Sequence, residues 1–241
     1  MANFFDETLV SPLSRCELDE LSAVAHSFTD DEGREVVQLD DMIFVVDELS
    51  TRGFSGRKWT NGKLYYAFSS NVDQTNRTRF RAACAEWSNV ADLEFIERTN
   101  QQNYVYVKSA STNSSYCGMI GGPQRMNIYN WRWKFIIAHE LGHALGLAHE
   151  QCRNDRDSFV EINEANIIDG KEHNFDIRNT RTYSAYDFAS IMHYGRKAFS
   201  KNNLPTIEGR PGYEDQEPYM GNRRYMTALD AAGMASHYGA P

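Results

Sequence analysis

The alternation of apolar and polar residues predicts regular structure in the middle of the chain. In Thr75–Val90, apolar side chains recur at helical spacing, so that Phe80, Ala83, Cys84 and Trp87 share one face. Short runs rich in β-branched and aromatic residues predict strands at Lys63–Ser69, Leu93–Glu97, Tyr104–Lys108, Tyr116–Ile120 and Met126–Ile128. Together these patterns favour a sheet that packs against a helix.

A second apolar helix is predicted at Trp133–Leu145. Gly146 is its natural stop, because glycine readily adopts the left-handed conformation that ends helices. Beyond about residue 150 the regular patterns become sparse until Thr227–Tyr238, which predicts a closing helix. The fold class that follows is α+β, with a sheet and two helices before an irregular half.

Negative charge is concentrated at the start of the 241-residue chain. Residues 1–49 contain 13 Asp and Glu against 2 Lys and Arg, whereas the remainder contains 20 acidic and 23 basic residues. Such a segment is either a solvated acidic arm or a pro-segment that lies against the more cationic body. The stretch Asp47–Gly56 predicts an exposed linker, so we expect a pro-segment and linker at 1–52 and a catalytic domain at 53–241.

Composition limits the classes of function. A hydrophobic fraction of 41% is that of a folded globular protein, and no apolar run reaches the roughly 18 residues that span a bilayer. Neither part of the chain has a dense Lys/Arg stripe, so nucleic acid is not an expected partner. Residues 1–25 lack the basic start and apolar core of a signal peptide, so we expect none within them.

The second predicted helix carries the pattern of a metal site, HELGHALGLAH, which begins at His139. Residues four apart on a helix differ by about 40° in azimuth and about 6 Å in rise, so His139 and His143 can reach one metal ion. A turn at Gly146 allows His149 to return as a third ligand. Three neutral imidazoles leave a fourth coordination position open, which is typical of catalytic zinc.

Glu140 follows the first histidine and is expected to point beside the metal. A carboxylate there can accept a proton from zinc-activated water and pass it to the leaving amine, so Glu140 is the candidate general base. A pseudoenzyme or adhesion module that keeps zinc only for structure does not need this residue. The pattern therefore favours a peptide-hydrolysing enzyme with one catalytic Zn2+ ion and protein or peptide substrates.

With these residues identified, the chain resembles the astacin family of metzincins. The sequence HEQCRNDRD, which starts at His149, is similar to the family's HExxRxDRD continuation, and SIMHY at residues 190–194 is similar to its Met-turn. Both features speak against another metzincin subfamily. The resemblance covers about residues 57–241, and bacterial members such as myroilysin are similar in character. It implies a zincin-like fold with a five-stranded mixed sheet, two long helices and an irregular C-terminal half, and a secreted zinc metalloendopeptidase.

The resemblance also implies roles for individual residues. Met192 would form a hydrophobic floor under the histidines, and Tyr194 would be a fifth zinc ligand that moves away to stabilise the oxyanion. Glu150 would receive the new N-terminus after activation. The two disulfides that are usual in the family are not expected, because the cysteines lie elsewhere; a bond between Cys117 and Cys152 stays open.

The resemblance implies a latent form, but the latch is not obvious. Many family pro-segments block the zinc with an Asp in an FxGD motif, which the segment around Asp6 does not match. Arg15-Cys16-Glu17 resembles the cysteine switch of matrix metalloproteases, so we expect the Cys16 thiolate to cap the zinc. A free thiol, a disulfide, steric blockage or Asp6 remain alternatives. We expect an activating protease to cut between residues 49 and 58.

Overall fold

The computed structural model describes residues 26–46, 57–178 and 184–241. Within these ranges the helices are α1 (Gln74–Ser88), α2 (Lys134–Ala144) and α3 (Ala228–Tyr238). The strands are β1 (His26–Thr29), β2 (Glu35–Leu39), β3 (Met42–Val45), β4 (Lys63–Phe68), β5 (Glu94–Glu97), β6 (Tyr104–Ser109), β7 (Ser114–Tyr116), β8 (Pro123–Ile128), β9 (Val160–Ile162) and β10 (Ile207–Gly209). None of the helices in the described ranges is long and apolar enough to cross a bilayer.

Five strands of the main domain, by which we mean residues 57–241, lie in the order β7-β8-β6-β4-β5. All neighbours are parallel except β7 and β8, which are antiparallel. The expectation of an α+β fold with a mixed sheet is confirmed. The strand predicted at Tyr116–Ile120 begins and ends earlier, because Gly118 adopts a left-handed conformation (φ 70°) that turns the chain.

The acidic segment, by which we mean residues 1–49, adds three strands that the charge pattern did not predict. Strands β1, β2 and β3 form an antiparallel meander, and β3 pairs in parallel with β7 through Met42 opposite Ser115 and Ile43 opposite Tyr116. The sheet therefore has eight strands in the described ranges. The meander buries apolar side chains in two separate clusters: Val37, Leu39, Met42 and Phe44 pack with Cys117, and Val36 and Ile43 pack with Tyr116. The predicted linker, Asp47–Gly56, lies outside the described residues.

Two tryptophans hold α2 in the core of the main domain. The indole of Trp87, on the buried face of α1, donates a hydrogen bond to the carbonyl of Ala138 (2.9 Å). The indole of Trp59 donates to the carbonyl of Ala144 (2.8 Å), near the end of α2. Buried donors of this kind remain paired in folded proteins, so these bonds fix both the position and the rotation of α2.

The C-terminal half contains little regular structure, as predicted. In its described part, β9 and β10 form a two-stranded sheet, and short 3-10 turns connect the remaining segments. Helix α3 begins at a capping box in which Thr227 and Asp230 exchange hydrogen bonds between side chain and backbone. Asp230 also accepts hydrogen bonds from the Ser190 hydroxyl (2.6 Å) and the Ile191 amide (3.1 Å), which ties α3 to the segment beneath α2.

Candidate metal centre

Helix α2 directs two histidines to the same point. His139 and His143 lie one turn apart and are both buried, with ring centroids 4.6 Å apart and Nε2 atoms 3.1 Å apart. Their Nδ1 atoms lie 2.7 Å from the carbonyl oxygens of Ile191 and Leu147. When Nδ1–H donates to a carbonyl, Nε2 keeps its lone pair and is directed at the metal.

The helix ends as the sequence predicts. Gly146 has φ 105°, and its amide donates a hydrogen bond to the carbonyl of His143 (2.8 Å). The chain then reverses direction, and the ring of His149 comes to lie 4.8 Å from that of His143 and 5.3 Å from that of His139. The three imidazoles therefore converge, although His149 is outside the helix.

A fourth group, which the sequence analysis did not identify, completes the cluster. The carboxylate of Asp41 lies 3.1 Å from Nε2 of His139, 3.0 Å from Nε2 of His149 and 3.4 Å from Nε2 of His143. Asp41 is in the turn between β2 and β3, so the acidic segment reaches into the centre. One donor atom from each of these four residues lies within 4.8 Å of the others.

The donor set fits one zinc ion. Burial lowers the pKa of His139 to about 3 and that of His149 to about 4, so both rings are neutral at pH 7, the form that binds metal. Nε2 of His149 and Oδ1 of Asp41 are buried and make no hydrogen bond. Buried polar atoms without a partner are uncommon, and a bound cation would satisfy both. Nitrogen and oxygen donors in this number are typical of zinc.

Glu140 follows His139 on α2, and its role as general base remains a prediction. It is 1% exposed, and its Oε2 atom has no hydrogen-bond partner. Burial, followed by the charges of Asp41 and Asp40, raises its pKa well above the usual value. A buried carboxyl group with a raised pKa is suited to holding a proton during a reaction.

Tyr194 also lies at the centre, where a residue of the acidic segment contacts it. Its ring lies 4.5 Å from that of His149, and its hydroxyl donates a hydrogen bond to Asp40 (2.7 Å). Asp40 has φ 54°, a left-handed conformation that Asp adopts more readily than most residues. Two adjacent carboxylates therefore contact two different parts of the centre.

Of the predicted supporting residues, Met192 is buried and Glu150 is partly buried. Met192 packs under α2 so closely that a Cβ atom on Gly142 would lie 2.8 Å from the Met192 sulfur. Glu150 accepts hydrogen bonds from Arg153 (2.7 Å) and from the Asp187 amide (2.9 Å). Its predicted role in receiving a new N-terminus concerns a cut chain and remains a prediction.

Of the four cysteines, three are in the described ranges. Cys84, Cys117 and Cys152 are buried free thiols, so the bond left open between Cys117 and Cys152 is not formed. Cys16, expected to cap the zinc, lies outside the described residues, as does the alternative Asp6. The group from the acidic segment that the structure brings to the histidines is Asp41.

A sequence signal for Asp41 exists but is weak. If Asp41 is the Asp of FxGD, Gln38 replaces the Phe and Asp40 replaces the Gly, so two of the three specified positions differ. Asp40 nevertheless keeps the positive φ that glycine would favour. Two Asp residues between the apolar runs Val36–Val37 and Met42–Val46 also indicate a hairpin turn.

Comparison with known proteins gives a consistent result. Residues 52–239 match the peptidase family Astacin. The chain is 34% identical over 210 residues to zinc metalloproteinase nas-14 of Caenorhabditis elegans, an alignment that covers 80% of this chain and 41% of the relative. It is 36% identical over 193 residues to bone morphogenetic protein 1 of Xenopus laevis, with 77% of this chain and 27% of the relative covered. The chain thus spans less than half the length of each of these two relatives.

Solved structures agree with the fold. High choriolytic enzyme 1, a hatching enzyme zinc-protease from Oryzias latipes, is 33% identical with a TM-score of 0.71, over 77% of this chain and 94% of that one. Myroilysin, at 20% identity and a TM-score of 0.55, shares the fold over 75% of this chain and 95% of its own. At the level of the domain, these matches confirm the expected zinc metallopeptidase class. With its family match, its relatives and its histidine centre in agreement, the chain belongs to the astacin family of peptidases.

Proposed function

We propose that this chain is a secreted zinc endopeptidase that is synthesised in a latent form. The observation that carries the proposal is the convergence of three buried histidines beside a buried Glu140 in a chain of the astacin family. Protein or peptide substrates, an activating protease and secretion from the cell belong to the same proposal. Residues 1–52 would act as pro-segment and linker, and residues 53–241 as catalytic domain.

His139, His143 and His149 would hold one zinc ion. When bound, zinc polarises the scissile carbonyl and makes water acidic enough to react at neutral pH. Glu140 accepts a proton from the attacking water and transfers it to the leaving amine as the peptide bond breaks. The hydroxyl of Tyr194 donates a hydrogen bond to the oxygen that becomes negative, once the acidic segment no longer binds it.

The latch in this proposal is Asp41. Its distances to the three histidine rings support the assignment, because a carboxylate in this position occupies the space that the attacking water needs. Asp40 contributes by keeping the Tyr194 hydroxyl in a hydrogen bond. Cys16 remains an alternative that mutation can distinguish.

The proposal is tested by casein hydrolysis with the full chain before a single cut in the linker, and after the cut once the acidic segment has been separated from the main domain. We expect no activity before the cut, and activity after it that a zinc chelator abolishes and added zinc restores. Equal activity before and after the cut would contradict latency. Hydrolysis that persists in the metal-free chain would contradict the zinc mechanism.

A further inference from the structure

The acidic segment also contacts the main domain at the end of β2 opposite to the metal centre. Strand β2 has five residues, so its two ends are roughly 13 Å apart. At this end the turn 30–34 brings the Arg34 guanidinium against the main domain, where Nη1 donates to the carbonyl of Gly121 and Nη2 to that of Pro123, each at 2.7 Å. A planar guanidinium held by two such bonds is bound specifically, unlike a lysine ammonium.

The surface that receives Arg34 is built by the main domain. Gly121 and Gly122 both have positive φ (88° and 69°), a pair of conformations that only glycine adopts without strain. The Gly122 amide is held by the side chain of Asn103 (2.8 Å), which fixes the loop. The ring of Tyr116 lies 5.5 Å from the centre of the guanidinium, close enough for a cation–π contact.

Asp30 orients the arginine. Its side chain is fully buried and accepts hydrogen bonds from Nε of Arg34 (2.7 Å) and from the hydroxyl of Tyr116 (2.7 Å). Its other oxygen accepts from the backbone amides of Glu32 (3.1 Å) and Arg34 (2.9 Å). Both oxygens of this carboxylate are thus fully used, and Arg34 is held in one orientation against the main domain.

We propose that Tyr116, Gly121 and Pro123 form an arginine-binding site on the main domain, and that Arg34 in this site keeps the acidic segment bound after the linker has been cut. The inference rests on the proposed latent function and adds a second step to activation. Cutting the linker ends the covalent connection, but the segment still pairs with β7 and still fills the arginine site. Full activity then requires the segment to dissociate or to be cut again.

The test uses the full chain with a site for a sequence-specific protease in the linker. After the cut, zinc is removed with a chelator, so that Asp41 no longer contributes through the metal, and gel filtration measures the fraction of segment that stays bound. We expect the wild-type segment to co-elute with the main domain. In Arg34→Gln, its dissociation constant should rise roughly tenfold to a hundredfold, the range for losing charge-assisted hydrogen bonds.

Two further variants control for folding and for general charge effects. Asp31→Asn removes only the exposed pair with Arg125 (3.2 Å) and should change the dissociation constant by less than about threefold. Tyr116→Phe keeps the buried ring, loses the hydrogen bond to Asp30 and should weaken binding by roughly fivefold. Thermal melting of the uncut variants shows whether each one folds.

Release of the wild-type segment at once, or equal retention of wild type and Arg34→Gln, would overturn the arginine site. Failure of the proposed function is seen separately, because it appears as casein hydrolysis by the uncut chain. If the uncut chain is latent but loses its segment on cutting, only the arginine-binding site is disproved.

Discussion

Helix α2 and the hairpin of β2 and β3 bring polar side chains to the same point by different means. The helix carries His139 and His143 in the core, where the indoles of Trp87 and Trp59 bind its carbonyls. The hairpin carries Asp40 and Asp41 and reaches the centre through its pairing with β7 and the contacts of Arg34. Its covalent connection to the main domain runs through the linker.

One fold can therefore hold both a catalytic group and its inhibitor. Residues on α2 cannot leave the centre without disrupting the core, whereas the hairpin can separate once the linker is cut. Permanent ligands are therefore expected within the main domain and removable ones on the hairpin.

The largest effect is expected for Glu140→Gln in the cut chain. This variant keeps the shape of the side chain but cannot accept the proton, so kcat/KM should fall by about 10²–10⁴-fold. Peptide hydrolysis measures the loss, and metal analysis should show an unchanged zinc content. Activity within about twofold of wild type would mean that another residue is the base.

Next in size is the effect of Asp41→Ala on the uncut chain. Removal of one charged member of a buried cluster should destabilise the inhibited form by about 3 kcal/mol relative to the open form, so basal activity should rise roughly a hundredfold. The matched variant Cys16→Ser should leave it unchanged. If Cys16→Ser activates and Asp41→Ala does not, the latch is the thiol; if neither activates, the segment blocks the cleft sterically.

A smaller effect is expected at Asp40, which binds Tyr194 and not the histidines. Asp40→Gly removes the hydrogen bond and relaxes the positive φ, and should raise the basal activity of the uncut chain roughly tenfold. Asp40→Asn keeps an acceptor and tolerates the same backbone conformation, so it should behave like wild type. Equal activation by both variants would show that charge, and not the contact with Tyr194, is responsible.

The smallest expected effect is on how the stability of the main domain against unfolding depends on pH. His193 is buried between the Tyr186 hydroxyl (2.8 Å) and the Tyr194 carbonyl (2.7 Å), and burial lowers its pKa to about 4. Between pH 4 and 6.5, His193 binds more protons in the unfolded chain than in the folded chain. Its contribution to the free energy of unfolding is therefore complete above pH 6.5 and is lost as the pH falls through this window. From pH 7 to 5.5 the loss due to His193 should be about 1 kcal/mol.

Denaturant unfolding of the metal-free, cut main domain at several pH values measures this slope. His139 and His149 titrate in the same direction, so the comparison is between wild type and His193→Gln. The variant should show the shallower slope. Identical slopes would mean that His193 does not contribute.

The sequence alone determined the features that depend on neighbours along the chain. Helical spacing placed His139 and His143 one turn apart, and Gly146 ended the helix. The location of Glu140 followed from its position next to His139 in the sequence. The buried face of α1 likewise followed from its repeat of apolar residues. In each case the geometry of a single helix sets the relative positions, so periodicity is sufficient to predict them.

What covers the metal centre follows from long-range contacts and not from local sequence. Asp41 and His139 are 98 residues apart, and the link between them is the pairing of β3 with β7, a register that no local pattern specifies. The charge of the acidic segment also concealed the apolar alternation of its strands, and so suggested only a solvated arm or a pro-segment held by charge against the more cationic body. The contact of Arg34 with the carbonyls of Gly121 and Pro123 could not be predicted either, because backbone oxygens have no signature in a sequence.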